Sequence, residues 1–226
     1  MSWQKNQKIK YSFSKSPHYI KPIIPRKKNS WDSSKYKKLK KTIKHHYSIV
    51  QDNLCAFCRT PIKFDGYGDH IEHMVIKNIK FRWMFHPENL SLACYGCNTN
   101  KAKKNTLVKD YSDYGNGYLD LPKKSTDYKI IHPHFDNFSD HIEEINLIYK
   151  PKNNSLKGRE TIKMCKLNRF DLIYTRAKLK RQANKSIIKK LSLIICDAYS
   201  SKEEKEIAIN MTEKIIERYK YLQSLK

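Results

Sequence analysis

Acidic residues are scarce in this sequence. Against 46 Lys and Arg stand 22 Asp and Glu, leaving a net charge of +24 and a pI of about 9.7. From Met1 to Lys44, fourteen basic residues meet one acid, Asp32. Solubility does not need so large an excess, and it implies a polyanionic partner, nucleic acid first. Long apolar runs are also missing. No stretch approaches the roughly 20 residues that cross a bilayer, which excludes a membrane-spanning helix. The opening residues, MSWQKNQKIKYSFSKS, have no apolar core of the kind a secretory signal needs. The expected location is therefore the cytoplasm, where cysteines stay reduced and bind metal rather than pair. No internal repeat is present.

What remains is a chain of 226 residues, enough for one or two domains and a proper core. An apolar fraction of 39% with 12% aromatics fits a folded protein with a charged surface. Residues 1–30 are basic and carry Pro17, Pro22 and Pro25, which predicts a solvated, flexible arm. Asp32 and the serines behind it are placed to cap a helix reaching about Gln51. Tyr36, Leu39, Ile43, Tyr47 and Val50 form its apolar stripe, and lysines cover the rest.

Residues 108–158 read as a loop-rich connection, with short strands expected at Tyr128–Ile131 and Ile145–Tyr149 and a turn over Pro151–Gly158. Residues 159–226 read as helical: a turn or two from Thr161 to Lys166, a long helix capped by Asn168 and ending about Tyr199, and a last helix from Lys202 to Leu222. Ile207, Met211, Ile215, Tyr219 and Leu222 are the inner stripe expected of that last helix, and Cys165 and Cys196 are expected as small apolar residues of the layer.

Between these parts, residues 31–107 hold two CxxC pairs, Cys55/Cys58 and Cys94/Cys97, separated by 35 residues. A CxxC turn presents two sulfurs along one edge of a tetrahedron, and two such turns make a closed structural zinc site. The spacer leaves room for a functional hairpin. It carries Asp69-His70-Ile71-Glu72-His73, and Asn98 directly follows the last cysteine. Histidine can take a proton from water near neutrality, and oxygen donors suit magnesium or manganese.

The pieces CAFC, DHIEH, NLSLAC and YGCNTNKAK, in that order, resemble the HNH endonuclease family. That resemblance implies an α+β, mostly helical chain built on a ββα-metal module with a structural zinc, flanked by a basic N-terminal helix and a C-terminal helical layer. It implies metal-dependent phosphodiester hydrolysis in DNA with Mg2+ or Mn2+. Two registers fit. In one, Asp69 is a metal ligand and His70 the general base; in the other, Glu72 is the ligand and His73 the base. Asn89 lies sixteen residues after His73 and nineteen after His70, and the shorter gap favours His73. His70 is then a second ligand or phosphate contact. Asn89 matches a residue that holds the base-bearing loop, and Asn98 matches the metal ligand on the helix. Lys101, Lys103 and Lys104, expected on the same helix, are placed to contact phosphate.

A narrower likeness extends downstream. HIEH, Phe81-Arg82-Trp83, Asn89-Leu90 and CYGCNTNK are similar to the HNH subunit of Septu-type antiphage systems, the PtuB group. So are Pro133–Asn137 with Asp140-His141-Ile142, and Gly158–Ile162 with Leu167-Asn168-Arg169. This likeness implies a partner ATPase of ABC or AAA-like type, in some systems with a retron. A zinc-knuckle module that binds nucleic acid without cutting it, or a nuclease acting on RNA, are the competing readings.

Overall fold

A computed structural model describes residue 9 and residues 12–19, 21–62 and 69–224; side chains at 183–188, 190, 211, 214–215 and 218–224 are left aside. The chain is a mixed α+β protein, 51% helical, with two small two-stranded sheets among the described residues. It divides into two compact units, one reaching Ile173 and one starting at Tyr174.

In the first unit, helix α1 spans Lys37–Val50. Its stripe falls as the spacing requires: Ile43 and Tyr47 are buried, and Tyr36, Leu39 and Val50 are half-buried. Tyr36 is the N-cap, with no side-chain cap bond, and Asp32 instead lies 3.8 Å from Lys77. Strand β1 (Asp69–His73) pairs antiparallel with β2 (Leu90–Cys94), with Asp69 opposite Cys94 and His73 opposite Leu90. Helix α2 (Tyr95–Lys101) follows β2 without a break, and α1 packs on both strands.

The described part of the N-terminal arm is anchored to the body at a few residues while Lys15, Lys21, Arg26, Lys27 and Lys28 are exposed; Met1–Lys8, Lys10, Tyr11 and Ile20 lie outside the described residues. Ile9, Phe13, Ser16 and Trp31 are buried. The Ile9 N–H donates to the Pro133 carbonyl at 2.7 Å, and the Phe13 N–H donates to the Tyr47 hydroxyl at 3.1 Å. Tyr47 in turn donates to the Pro87 carbonyl at 2.5 Å. Irregular backbone is buried here because its donors are individually satisfied.

The connection after α2 is also packed. Tyr128, Ile130 and Ile131 are buried, but Tyr128 makes only an isolated bridge to Leu107 instead of the expected strand. A short helix, α3 (Phe138–His141), leads into a hairpin of β3 (Ile142–Ile145) and β4 (Ile148–Pro151). Helix α4 (Leu156–Met164) starts five residues earlier than expected, with the Ser155 hydroxyl accepting from the Gly158 N–H. Gly158 therefore lies inside a helix and not in a turn.

Helix α5 covers Phe170–Cys196, and α6 covers Lys202–Ser224. Asn168 lies two residues before α5, and its side chain bonds the N–H and carbonyl of Tyr149, both at 2.8 Å. On α6, Ala208 is buried while Ile207 is exposed; the other expected stripe side chains lie outside those described. Cys165 is buried and Cys196 exposed.

A Cβ on Gly158 would press into the backbone carbonyl of His141, which cannot swing away. Helix propensity alone favours Gly158→Ala by about 1 kcal/mol. The clash reverses that sign, and a loss of about 1–3 kcal/mol is expected from the urea midpoint.

Candidate metal centre and histidine-bearing hairpin

The four cysteines meet. The Sγ atoms of Cys55, Cys58, Cys94 and Cys97 all lie within 4.8 Å of one another, and all four residues are buried. Cys58 and Cys94 are 3.8 Å apart. A zinc ion with Zn–S bonds of 2.3 Å sets tetrahedral S–S edges of about 3.8 Å, so the cluster fits zinc and is far too open for disulfides. The first CxxC is a tight turn: the Cys55 N–H donates to the Thr60 carbonyl at 2.9 Å and the Arg59 N–H to the Cys55 carbonyl at 3.1 Å. Arg59 takes a left-handed φ of 57° to close it. In the second, Cys94 caps α2 and Cys97 sits in its first turn. Gln51, after α1, joins the two halves by bonding the Leu54 carbonyl and both backbone groups of Leu92.

Along β1, side chains alternate between two faces. Asp69 and His73 point to the α1 side, where Lys44 holds the Asp69 carboxylate at 3.2 Å and its carbonyl at 2.7 Å. The His73 ring meets Trp31 edge-on, with centroids 4.4 Å apart. His70 and Glu72 point to the α2 side. His70 is half-buried, its ring centroid 5.6 Å from that of Tyr95. Glu72 is buried against Lys101 at 2.5 Å. Burial pushes the Glu72 carboxyl up and Lys101 draws it back. Asn98 is half-buried on α2, one turn from both Tyr95 and Lys101.

This placement corrects three expectations. Glu72 is not an open ligand position, because its charge is committed to a buried ammonium. Lys101 is not a surface phosphate contact: it is 1% exposed and also donates to the His73 carbonyl at 2.9 Å. Helix α2 ends at Lys101, with Ala102 at φ 45°, so Lys103 and Lys104 lie beyond it. Both are exposed, and Lys104 donates to the Met164 carbonyl at 2.9 Å. Asp69, Glu72 and Asn98 are not gathered into one ligand set. Among the described residues, the four cysteines are the one cluster of three or more His, Cys, Asp or Glu poised for metal. Both carboxylates of β1 already hold lysines, so the residues do not fit a magnesium or manganese site as they stand.

His73 ends the strand, its Nε2 3.0 Å from the Met84 carbonyl. A carbonyl only accepts, so Nε2 carries the proton and Nδ1 the lone pair. Burial, and then the Lys77 charge, push His73 down to about 3, so it is neutral at neutral pH. The loop behind it is held by Asn89, which is fully buried. Its Oδ1 accepts from the Val75 N–H at 2.7 Å, and its Nδ2 donates to the Val75 and Trp83 carbonyls at 3.1 Å each.

Several residues at the site carry no local signal in the sequence. Trp31 covers His73 from a 3-10 turn, and Tyr149 donates to the Cys58 carbonyl at 2.8 Å. Arg169 reaches two of the sulfurs from beyond α4. His132 and His134, given no role above, are core residues: His134 Nε2 is 2.7 Å from the Leu90 carbonyl, and His132 stacks on Phe135 at 4.1 Å. No family model matches this chain, and no curated protein matches it. No helix among the described residues is long and apolar enough to cross a membrane.

Two outcomes are expected. Purified protein should hold one tightly bound zinc per chain by elemental analysis, and Cys97→Ser should unfold the hairpin unit, because the ion supplies its folding energy. Acid should also unfold the protein early. Burial lowers His73 to about 3 and both His86 and His134 to about 4, and it holds His132 well below its ordinary value. The unfolded chain then binds more protons below its ordinary histidine pKa of about 6.5, so stability falls with pH from there to about 4. Each such group contributes a slope of about 1.4 kcal/mol per pH unit within its window. A pH series of urea midpoints would show the decline, and a flat profile between pH 6.5 and 4 would refute it.

Proposed function

We propose that this protein is an HNH-type nuclease that hydrolyses phosphodiester bonds in DNA, with His73 as general base. The observation that carries this reading is the fixed tautomer of His73 at the end of β1. Its Nε2–H is spent on the Met84 carbonyl, and Nδ1 is left as the proton acceptor. A base must be unprotonated and aimed, and burial and the Asn89-braced loop supply both conditions.

A pKa of about 3 makes a weak proton acceptor. Part of that depression comes from the lysines nearby, Lys77 first and then Lys101. A phosphate docking beside Lys77 would offset that charge and raise His73 by its share of the depression, while burial, the larger cause, stays. The DNA track is provided by α1, which carries no acid. Lys37, Lys38 and Lys41 are exposed on it, with Lys35 just before it. Lysines clustered at a helix N-terminus oppose the helix dipole, and a polyanion relieves that cost.

Magnesium or manganese is the cofactor that the sequence resemblance implies; bound near the scissile phosphate, such an ion neutralises the leaving oxygen. No step is routed through it here, because Asp69 and Glu72 are paired. Service as the nuclease subunit of an antiphage complex, beside an ABC or AAA-like ATPase and in some settings a retron, rests on the same resemblance.

The test is cleavage of supercoiled plasmid with Mg2+ or Mn2+. His73→Ala should lower the rate at least about 100-fold, the usual contribution of a general base. His70 faces α2 beside Tyr95, so His70→Ala reads the other register: a dead His70→Ala with a fully active His73→Ala would transfer the base to His70. Binding of DNA with no cleavage in any metal would leave a zinc-held binding module, and cleavage of RNA alone would reassign the substrate.

A further inference from the structure

Arg169 lies 72 residues beyond Cys97, yet its guanidinium reaches the thiolate cluster. Nη1 donates to the Cys97 sulfur at 3.6 Å, and Nη2 donates to the Cys94 sulfur at 3.8 Å. Its other contacts hold the fork in place. Nε donates to the Asp171 carboxylate at 2.9 Å, and Nη1 also donates to the carbonyls of Cys165 at 3.1 Å and Lys166 at 3.3 Å. The space for it is made by Gly96, between the two cysteines: a Cβ there would overlap the guanidinium. Gly96 needs no unusual backbone angle, so close approach is the physical reason for glycine at this position.

Zinc bound by four thiolates carries a net charge of −2, and a buried charge needs a partner. We infer that Arg169 is the outer-shell cation of this metal centre: its planar fork bonds two zinc-bound sulfurs, offsets their charge and fastens the residues after α4 to the CxxC at the start of α2. A lysine cannot replace it, because one ammonium does not span two sulfurs in a plane. This assignment is independent of the nuclease reading.

The test uses full-length protein and reads metal binding rather than cleavage. Zinc affinity is measured by competition with a chromogenic chelator, and cobalt(II) replaces zinc for absorption spectra. Arg169→Gln should weaken zinc binding about 10–100-fold, the usual effect of losing an outer-shell partner. It should also shift the sulfur-to-cobalt charge-transfer band to lower energy, since N–H donors no longer draw density from the thiolates. Arg169→Lys should fall between. Gly96→Ala is the second probe. Helix propensity predicts that it stabilises α2. The added methyl displaces the flexible end of Arg169 without disturbing backbone, so weaker zinc binding and the same band shift are expected instead.

Arg169→Gln with affinity within twofold of the parent overturns the assignment. So does weakened affinity with an unmoved cobalt band, which would place the effect in the fold rather than at the sulfurs. Should Arg169→Gln not yield folded protein, Gly96→Ala decides alone: tighter or unchanged zinc rejects the role, and weaker zinc with a shifted band supports it.

Discussion

Two strands of five residues do not hold together alone in water. The β1–β2 hairpin stands only because β2 is fastened at both ends. At its C-terminal end, Cys94 and Cys97 meet Cys55 and Cys58 in a buried cluster of metal geometry. At its N-terminal end, Asn89 bonds three backbone groups of the preceding loop. Between them Gln51 ties α1 to the middle of β2 through both backbone groups of Leu92. The thiolates are the costliest of these ties. Without a metal, mutual hydrogen bonding and then burial push the Cys97 thiol well above its ordinary range. A divalent ion would reverse that balance by holding all four as thiolates, which would couple metal binding to hairpin formation.

The second internal tie is the Glu72–Lys101 pair. A buried ion pair adds little net stability, because both charges lose water. Its value is directional. Lys101 reaches the Glu72 carboxylate and the His73 carbonyl together, so the C-terminal end of α2 is set against the end of β1. The cluster positions the first turn of α2 and this pair positions its last. Asn98 and the face beside His70 follow from those two points. Removing one partner would leave a buried charge unpaired at a cost of about 3–5 kcal/mol, far more than the intact pair contributes.

Much of this was legible because it is local. The CxxC spacing encodes a sulfur geometry within four residues, and the α1 stripe encodes one face of one helix; both read directly. The rest depended on partners distant in sequence. Lys101 looks like one more lysine in a basic row, and only the buried Glu72 makes it a core residue. Prolines at 17, 22 and 25 suggested a free arm, but packing does not require regular structure: Ile9 and Phe13 are buried on single backbone bonds to Pro133 and Tyr47. Tyr128–Ile131 has the composition of a strand and is largely buried, yet among the described residues its pairing with the backbone around Leu107 stops at an isolated bridge. Arg169 carried no signal of this contact, because the two sulfurs it reaches lie 72 and 75 residues before it.

The alternation of β1 also separates the two histidines that sequence alone left competing. One faces α2, half-open, against the Tyr95 ring. The other is sealed under Trp31 with one nitrogen already bonded. Exposure favours the first and preorganisation the second. For a group that must lose no time finding its tautomer, preorganisation is the stronger argument. The price is a depressed basicity, set partly by Lys77. Lys77 and Lys101 thus add to burial in keeping the buried histidine a weak base. On the nuclease reading proposed above, a polyanion lying along α1 and beside Lys77 would relieve the lysine part of that depression. Burial is the larger cause of the candidate base's weak basicity, and the nearby lysines deepen it, so an anion would restore only their share.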